Sequence, residues 1–140
     1  MRFLMASAGY RVLFSRADAM LKKLAQSRAD NSFDRQLREY INPNVLVIDD
    51  FALRRLSALA SSDLYELIIE RHLRSSTIVT SNRDVTEWGA VFDEPMLAQS
   101  ALDRFCHRAH QLVIEGESYR KRLAPGLQGN QNPKKGGKTK

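Results

Sequence analysis

Acidic and polar side chains follow two apolar runs of the sequence. Asp49 and Asp50 come directly after the run 45–48, and Asn82 comes shortly after the run 77–80. The carboxyl ends of parallel strands meet at one edge of a sheet, which is where open α/β sheets bind ligands. If both runs are strands, the sequence therefore predicts a polar site that contains these three side chains.

Paired carboxylates at the end of an apolar strand can hold a magnesium ion. A Walker B element uses such acids to bind Mg²⁺ beside nucleotide phosphates. Receiver domains and metal nucleases also end strands in paired acids, and two acids that only cap a turn would look the same in sequence. The pair alone therefore leaves these alternatives open.

Two alternating periods predict the elements that position these side chains. Short apolar runs predict strands at 10–14, 45–48, 77–80 and 111–114, of which 45–48 is expected to be buried on both faces. Helical spacing predicts helices over Ala17 to Leu24 and Phe33 to Ile41, a third from Asp63 with a capping box to Glu66, and a fourth from Pro95. Strands separated by helices predict an α/β fold, with a mostly parallel sheet and flanking helices.

The composition excludes several classes of protein. The chain has 140 residues, 43% of them hydrophobic and 27% charged, which suits one globular domain. Cys106 is the only cysteine, so an internal disulfide framework is excluded and a cytoplasmic location is expected. No apolar run approaches the roughly 18 residues of a membrane span, so no membrane partner is expected.

Several motifs occur in an order that resembles one family. The segments VLVIDDF at 45–51, DLYELIIER at 63–71 and STIVTSNR at 76–83 closely resemble the IstB-type transposition helper ATPases, which are AAA+ proteins related to helicase loaders. The similarity continues through 87–88, 103–105 and 116–120. It implies a partial AAA+ domain, that is, part of a P-loop NTPase core, at 1–123, followed by a basic, disordered tail at 124–140.

The resemblance implies a role for each candidate residue. Asp49 would serve Mg²⁺, and Asp50 would orient or activate the water that attacks ATP. Asn82 would read the γ-phosphate, and Arg104 resembles the arginine finger that is offered to the nucleotide of an adjacent subunit. Arg120 would sense nucleotide or pack a lid, with a plain surface arginine as the alternative. The implied partners are ATP, DNA, the transposase and further copies of the chain.

The phosphate-binding element of the family is missing from these 140 residues. A P-loop reads G-x-x-x-x-G-K-[ST] after a strand, and the tail matches only its end, at Gly137-Lys138-Thr139, since Asn132 stands at the place of the first glycine. The family's P-loop lies upstream of the strand that begins here at Tyr10. The chain therefore resembles an N-terminally truncated copy that lacks the first strand, which normally lies between 77–80 and 111–114, and the Walker A loop.

Three functions are compatible with this pattern. The first is an IstB-like ATP-binding helper of insertion-sequence DNA transposition, with impaired ATP binding. The second is a non-catalytic remnant that binds DNA or the transposase without ATP chemistry. The third is a receiver-like signalling domain, which would need a lysine where Glu115 stands. A zinc site at Cys106, His107 and His110 is disfavoured because no second ligand cluster exists.

Most of the net charge of +6 lies near the end of the chain. Residues 115–140 carry seven basic and two acidic side chains, and the stretch beyond Ala124 is rich in glycine and almost free of apolar residues. Such a segment cannot bury enough surface to offset the entropy of ordering, so it is predicted to be disordered. The lysines of the tail are therefore candidates for nucleic-acid contacts.

Deleting residues 125–140 is predicted to reduce the salt dependence of DNA binding. Four tail lysines that reach phosphates would add a slope of at most about −3.6 to log affinity against log salt. A DNA-binding assay at two salt concentrations, with and without the tail, measures this slope. If the two forms bound DNA with equal affinity, the tail would not contribute to DNA binding.

Overall fold

The computed structural model describes residues 9–116, in which three strands form one parallel sheet. The strands, in spatial order, are β1 (Val12–Arg16), β2 (Val45–Asp49) and β3 (Ser76–Val79). Helices α1 (Ala17–Ser27) and α2 (Phe33–Ile41) connect β1 to β2, and α3 (Ala58–Arg71) connects β2 to β3. A 3₁₀ helix (Val85–Val91) and α4 (Pro95–Cys106) follow. The α/β class, the mostly parallel sheet and the placement of Pro95 in the first turn of α4 are confirmed.

Two compact units divide the chain. The first ends at Ala109 and contains the sheet and the helices, and residues 110–116 belong to the second. The predicted tail at 124–140 and its boundary lie outside the described residues and stay predictions. No helix within residues 9–116 is long and apolar enough to cross a lipid bilayer.

The apolar positions of the helices meet over one face of the sheet. Met20 and Leu24 of α1, Leu37 of α2 and Leu64 of α3 are buried in one cluster with Leu46 of β2. These helical positions are the ones that the i, i+3, i+4 spacing predicts to face inward. The pattern of the helices is therefore confirmed.

The second face of the sheet is less covered than predicted. Leu46 and Ile48 of β2 are fully buried, whereas Val45 and Val47, which alternate with them, are only half-buried. Side chains of a strand alternate between the two faces, so the helices cover one face more completely than the other. The prediction that β2 is buried on both faces is therefore wrong for the second face.

Helix α3 begins five residues before the predicted start. Its N-cap is Ser57, whose side chain accepts a hydrogen bond of 3.1 Å from the Ala60 amide. Asp63 lies inside the helix, with 1% of its surface exposed, and pairs with the guanidinium of Arg28 at 2.5 Å. The predicted capping box from Asp63 to Glu66 is wrong because the Asp63 carboxylate points inward to an ion pair.

The predicted strand at 111–114 is wrong. Residues 110–116 have no helix or strand, and Leu112, Val113 and Ile114 are exposed. An apolar run becomes a strand only where its backbone groups pair with a neighbouring strand. Within the described residues the sheet ends at β3, and this run does not pair with the open side of that strand.

A buried guanidinium fixes the amino-terminal end of the sheet. Arg71, the last residue of α3, is only 3% exposed. Its guanidinium donates hydrogen bonds to the end of α2, to the loop that follows α2 and to the start of β3. The acceptors are the carbonyls of Tyr40, Ile41, Pro43 and Ser76 and the hydroxyl of Thr77. Burial lowers the pKa of Arg71 to about 10, so the side chain remains protonated at neutral pH.

The substitution Arg71→Met is predicted to lower the free energy of unfolding by about 3 kcal/mol or more, because several buried carbonyls lose a charged donor. Urea denaturation measures the change. The matched control is Arg74→Met. Within residues 9–116 the Arg74 side chain pairs with Glu70 alone, and it is 71% exposed, so the effect of this substitution should stay below about 0.5 kcal/mol. Equal effects of the two substitutions would contradict a structural role for Arg71.

Candidate functional site

The carboxyl ends of the three strands bring the candidate residues to one edge of the sheet. Arg16, the last residue of β1, is the register partner of Asp49, the last residue of β2. Thr80 follows β3, and its amide donates to the carbonyl of Ile48 at 3.0 Å. Asp49 and Asp50 therefore lie beside the segment after β3, where the sequence predicted a polar site.

The turn after β2 is held in a strained conformation by hydrogen bonds to the end of β3. Asp50 and Ala52 have φ values of 56° and 64°, which lie in the left-handed region. The amide of Asp50 donates to Thr80 Oγ1 at 3.1 Å, and the amide of Phe51 donates to the Thr80 carbonyl at 2.9 Å. Ser81 Oγ donates to the Phe51 carbonyl at 2.8 Å. These bonds offset a backbone cost of about 1–2 kcal/mol per left-handed residue.

The two carboxylates have different surroundings. Asp49 Oδ1 accepts a hydrogen bond from the Thr80 hydroxyl. Asp50 Oδ2 lies 3.7 Å from Nε of Arg16, and the Asp50 side chain is 43% exposed. Arg16 also lies 3.4 Å from Asp18. Asp49 is therefore oriented by a neutral donor, whereas Asp50 faces a cation and solvent.

Arg16 is a site residue that the sequence did not predict. It is the last residue of β1, and its place beside the acids follows from its register with Asp49. The only signal in the sequence is a basic residue at the end of a predicted strand. That signal becomes specific only once the pairing of β1 with β2 is known.

Asn82 and Arg104 do not contact the acidic pair. Asn82 is exposed and forms no hydrogen bond within the described residues, although it lies at the same edge, two residues after Thr80. Arg104 is folded back along α4, where its Nη1 donates to the carbonyl of Ser100 at 2.9 Å and to the Ser100 hydroxyl at 2.6 Å. Arg120 lies outside the described residues, so its role stays a prediction.

An aromatic cluster connects the acidic turn to α4. The ring of Phe51 packs edge-on against Trp88 with centroids 4.8 Å apart, and it stacks near Phe105 at 6.4 Å. Trp88 and Phe92 are both buried, which agrees with a packing role for them. Phe105 directly follows Arg104, so the helix that carries this arginine packs against the turn that follows Asp50.

The described residues offer no dedicated metal cage. No group of three or more His, Cys, Asp or Glu side chains within 9–116 could hold a metal ion. The pKa of the Cys106 thiol is raised by burial and by the nearby charge of Asp103, which disfavours the thiolate that zinc would need. Two carboxylates do fit Mg²⁺, which is usually bound by one or two carboxylates together with the phosphates of a substrate.

A solved structure resembles this fold. The DnaC helicase loader superposes with a TM-score of 0.63 over 77% of this chain and 63% of that chain, at 22% sequence identity. The three parallel strands and their flanking helices therefore have the same fold as part of this helicase loader.

The sequence comparisons identify the family. The family model described as IstB-like ATP binding protein matches residues 4–125, so the chain belongs to this family. An insertion-sequence ATP-binding protein of Mycobacterium tuberculosis is 42% identical over 86% of this chain and 49% of its own length. The insertion sequence IS21 ATP-binding protein of Pseudomonas aeruginosa is 35% identical over 90% of this chain and 49% of its own length. The chain thus spans about half the length of these curated relatives. The receiver alternative does not agree with this family.

The substitution Thr80→Val is predicted to lower the free energy of unfolding by roughly 1 kcal/mol, because Asp49 loses a donor and the Asp50 amide loses an acceptor. Thr80→Ser keeps the hydroxyl and is the control, with a smaller expected change. Urea denaturation of the three forms compares them. If valine were tolerated as well as serine, the hydroxyl would not be what holds the turn.

Proposed function

We propose that the chain carries the magnesium- and γ-phosphate-facing half of the ATP site of an insertion-sequence transposition helper. The observation that carries this proposal is the hydrogen-bonded junction between Asp49, Asp50 and Thr80 at the carboxyl edge of the sheet. Membership of the IstB-like family and the ATP-binding relatives support it. In this proposal the work of the family is to use ATP to assemble on DNA and to regulate a transposase.

The acidic pair divides its work between the metal and the attacking water. Within the described part of the chain, Asp49 accepts one hydrogen bond, from the Thr80 hydroxyl at Oδ1. It would hold Mg²⁺ beside the phosphates through its other oxygen or through bound water. Bound there, Mg²⁺ would neutralise charge that develops on the phosphates. Asp50, whose side chain is 43% exposed, would accept a proton from the attacking water. Arg16, whose Nε lies 3.7 Å from Asp50 Oδ2, would limit the movement of this carboxylate.

Asn82 and Arg104 would complete the site from two directions. The side-chain amide of Asn82 has no hydrogen-bond partner among residues 9–116, and it would donate to a γ-phosphate oxygen at this edge. Arg104 would act on the nucleotide of a neighbouring copy, after exchanging the Ser100 oxygens for phosphate oxygens. This arrangement makes a homo-oligomer the active form and ATP with Mg²⁺ its ligand.

A second candidate function is binding to DNA or to the transposase without ATP chemistry. The absence of a P-loop motif from the 140 residues favours it, because backbone amides and a lysine normally cradle the phosphates. Without that cradle, two carboxylates add little affinity for a nucleotide that is itself anionic. The two candidates therefore differ in whether a phosphate cradle is present beside β3.

The 140-residue chain alone is predicted to bind Mg-ATP weakly and not to hydrolyse it. Isothermal titration calorimetry with Mg-ATP measures this, and the expected result is no binding in the micromolar range. Micromolar binding that disappears in Asp49→Ala would contradict the prediction, because it would show that the acids suffice without the P-loop.

The proposed roles of the acids can be tested in a chain that also contains a P-loop. A fusion of this chain to a segment with a P-loop, taken from the part of the Mycobacterium tuberculosis relative outside the match, should bind Mg-ATP. Asp49→Ala should abolish the Mg²⁺ dependence, and Asp50→Asn should retain binding while losing hydrolysis. Asp34→Ala removes an exposed carboxylate of α2 and is the control. An Asp50→Asn fusion that hydrolyses ATP normally would refute the role of Asp50.

A further inference from the structure

A groove with arginines in its wall lies at the end of the molecule opposite the acidic pair. It has a volume of about 480 Å³ and runs between the start of β1 and α2. Arg11, Arg35 and Arg38 line it, with Val12, Leu13 and Pro43 as its apolar part and Asn42 and Glu39 as its other polar members. Because β1 is the outermost strand of the described sheet, the groove follows an open edge of the molecule.

The positive charge of this groove is largely uncompensated. Arg35 and Arg38 are one turn apart on α2, and both are exposed. None of the ion pairs among residues 9–116 involves Arg11, Arg35 or Arg38. Of the nearby acids, Asp30 lies within electrostatic reach of Arg35, and Glu39 pairs with Lys23 at 3.5 Å. The groove therefore presents guanidinium groups that are available to an anion.

Arg11 is already held in place for such a contact. Its amide donates to Asn44 Oδ1 at 2.8 Å, and its carbonyl accepts from the Val45 amide at 3.1 Å. Its Nη2 donates to the carbonyl of Asn42 at 3.0 Å, which orients the guanidinium. A guanidinium that is positioned before binding loses less entropy when it meets a ligand.

A second cavity continues the groove along β1. It has a volume of about 220 Å³, shares Leu13 and Glu39 with the first, and adds Phe14, Ser15 and Lys23 to the wall. Together the two cavities carry four basic side chains and one acidic one. A strand of five residues is about 16 Å long, which matches roughly five nucleotides of one DNA strand at 3.4 Å each.

We propose that this basic groove binds the phosphate backbone of DNA. Guanidinium groups bind phosphate through paired, charge-assisted hydrogen bonds, and such contacts position a protein on DNA without reading its sequence. The proposal rests on the proposed function for its choice of DNA, and it adds which surface makes the contact. The groove lies at the opposite edge from the acidic pair, so DNA and nucleotide would bind at separate places on the same domain.

The test is binding of the full 140-residue chain to a labelled duplex of about 30 base pairs, measured by fluorescence anisotropy at several salt concentrations between about 50 and 200 mM. The double substitution Arg35→Ala/Arg38→Ala should weaken binding roughly tenfold and make the slope of log affinity against log salt less negative by about 1.8.

The control variant Lys22→Ala/Arg54→Ala removes the same charge from exposed positions outside the groove and should change binding far less. Arg35→Lys/Arg38→Lys should retain most of the slope. Thermal melting followed by circular dichroism confirms that each variant is folded.

Three results would overturn the proposal, and they have different meanings. If the arginine variant binds like its control while the unaltered chain binds DNA, the groove is wrong but the proposed function stands. If the unaltered chain does not bind the duplex, both the groove and the DNA partner in the proposed function fail. If polyglutamate of equal charge binds as tightly as the duplex, and the Arg35→Ala/Arg38→Ala variant loses this binding, the groove binds an acidic polypeptide instead.

Discussion

The guanidinium of Arg71 joins three segments that are far apart in the sequence. Its hydrogen bonds hold the end of α2, the loop at Pro43 and the start of β3 around one buried cation. The acceptors are carbonyls and a hydroxyl rather than a carboxylate, so dipoles balance the charge. Each hydrogen bond from a charged donor contributes roughly 1.5–3 kcal/mol to the free energy of unfolding. Because β2 follows Pro43 directly, these bonds also fix where β2 and β3 begin relative to each other.

That alignment is repeated at the other end of the sheet. Strands β2 and β3 are in register from Val45 and Ser76 to Ile48 and Val79, so the next residues, Asp49 and Thr80, lie side by side. The hydrogen bond from the Thr80 hydroxyl to Asp49 then orients the carboxylate. The hydrogen bonds from Asp50, Phe51 and Ser81 then hold the turn in a backbone conformation that residues other than glycine rarely adopt. The geometry of the acidic pair is therefore a consequence of packing at the opposite edge.

The sequence predicted the features that depend on local pattern and missed those that depend on partners. Helical spacing identified the buried faces of α1 to α3, and paired acids after an apolar run located the site edge. Asp63 was misread because a carboxylate that caps a helix and one that pairs with Arg28 look alike in sequence. The run 111–114 has strand composition but pairs with no strand in residues 9–116, and the place of Arg16 requires the register of β1.

The outer side of β3 has a consequence for how the domain behaves in concentrated solution. Within residues 9–116 no strand pairs with this side, and Ile78 is half exposed on the less covered face. Unpaired backbone groups beside an exposed apolar side chain form a template for strands of other molecules. The brevity of β3, four residues, limits how many hydrogen bonds such an encounter could form. The shortness of this edge therefore limits association between molecules through β3.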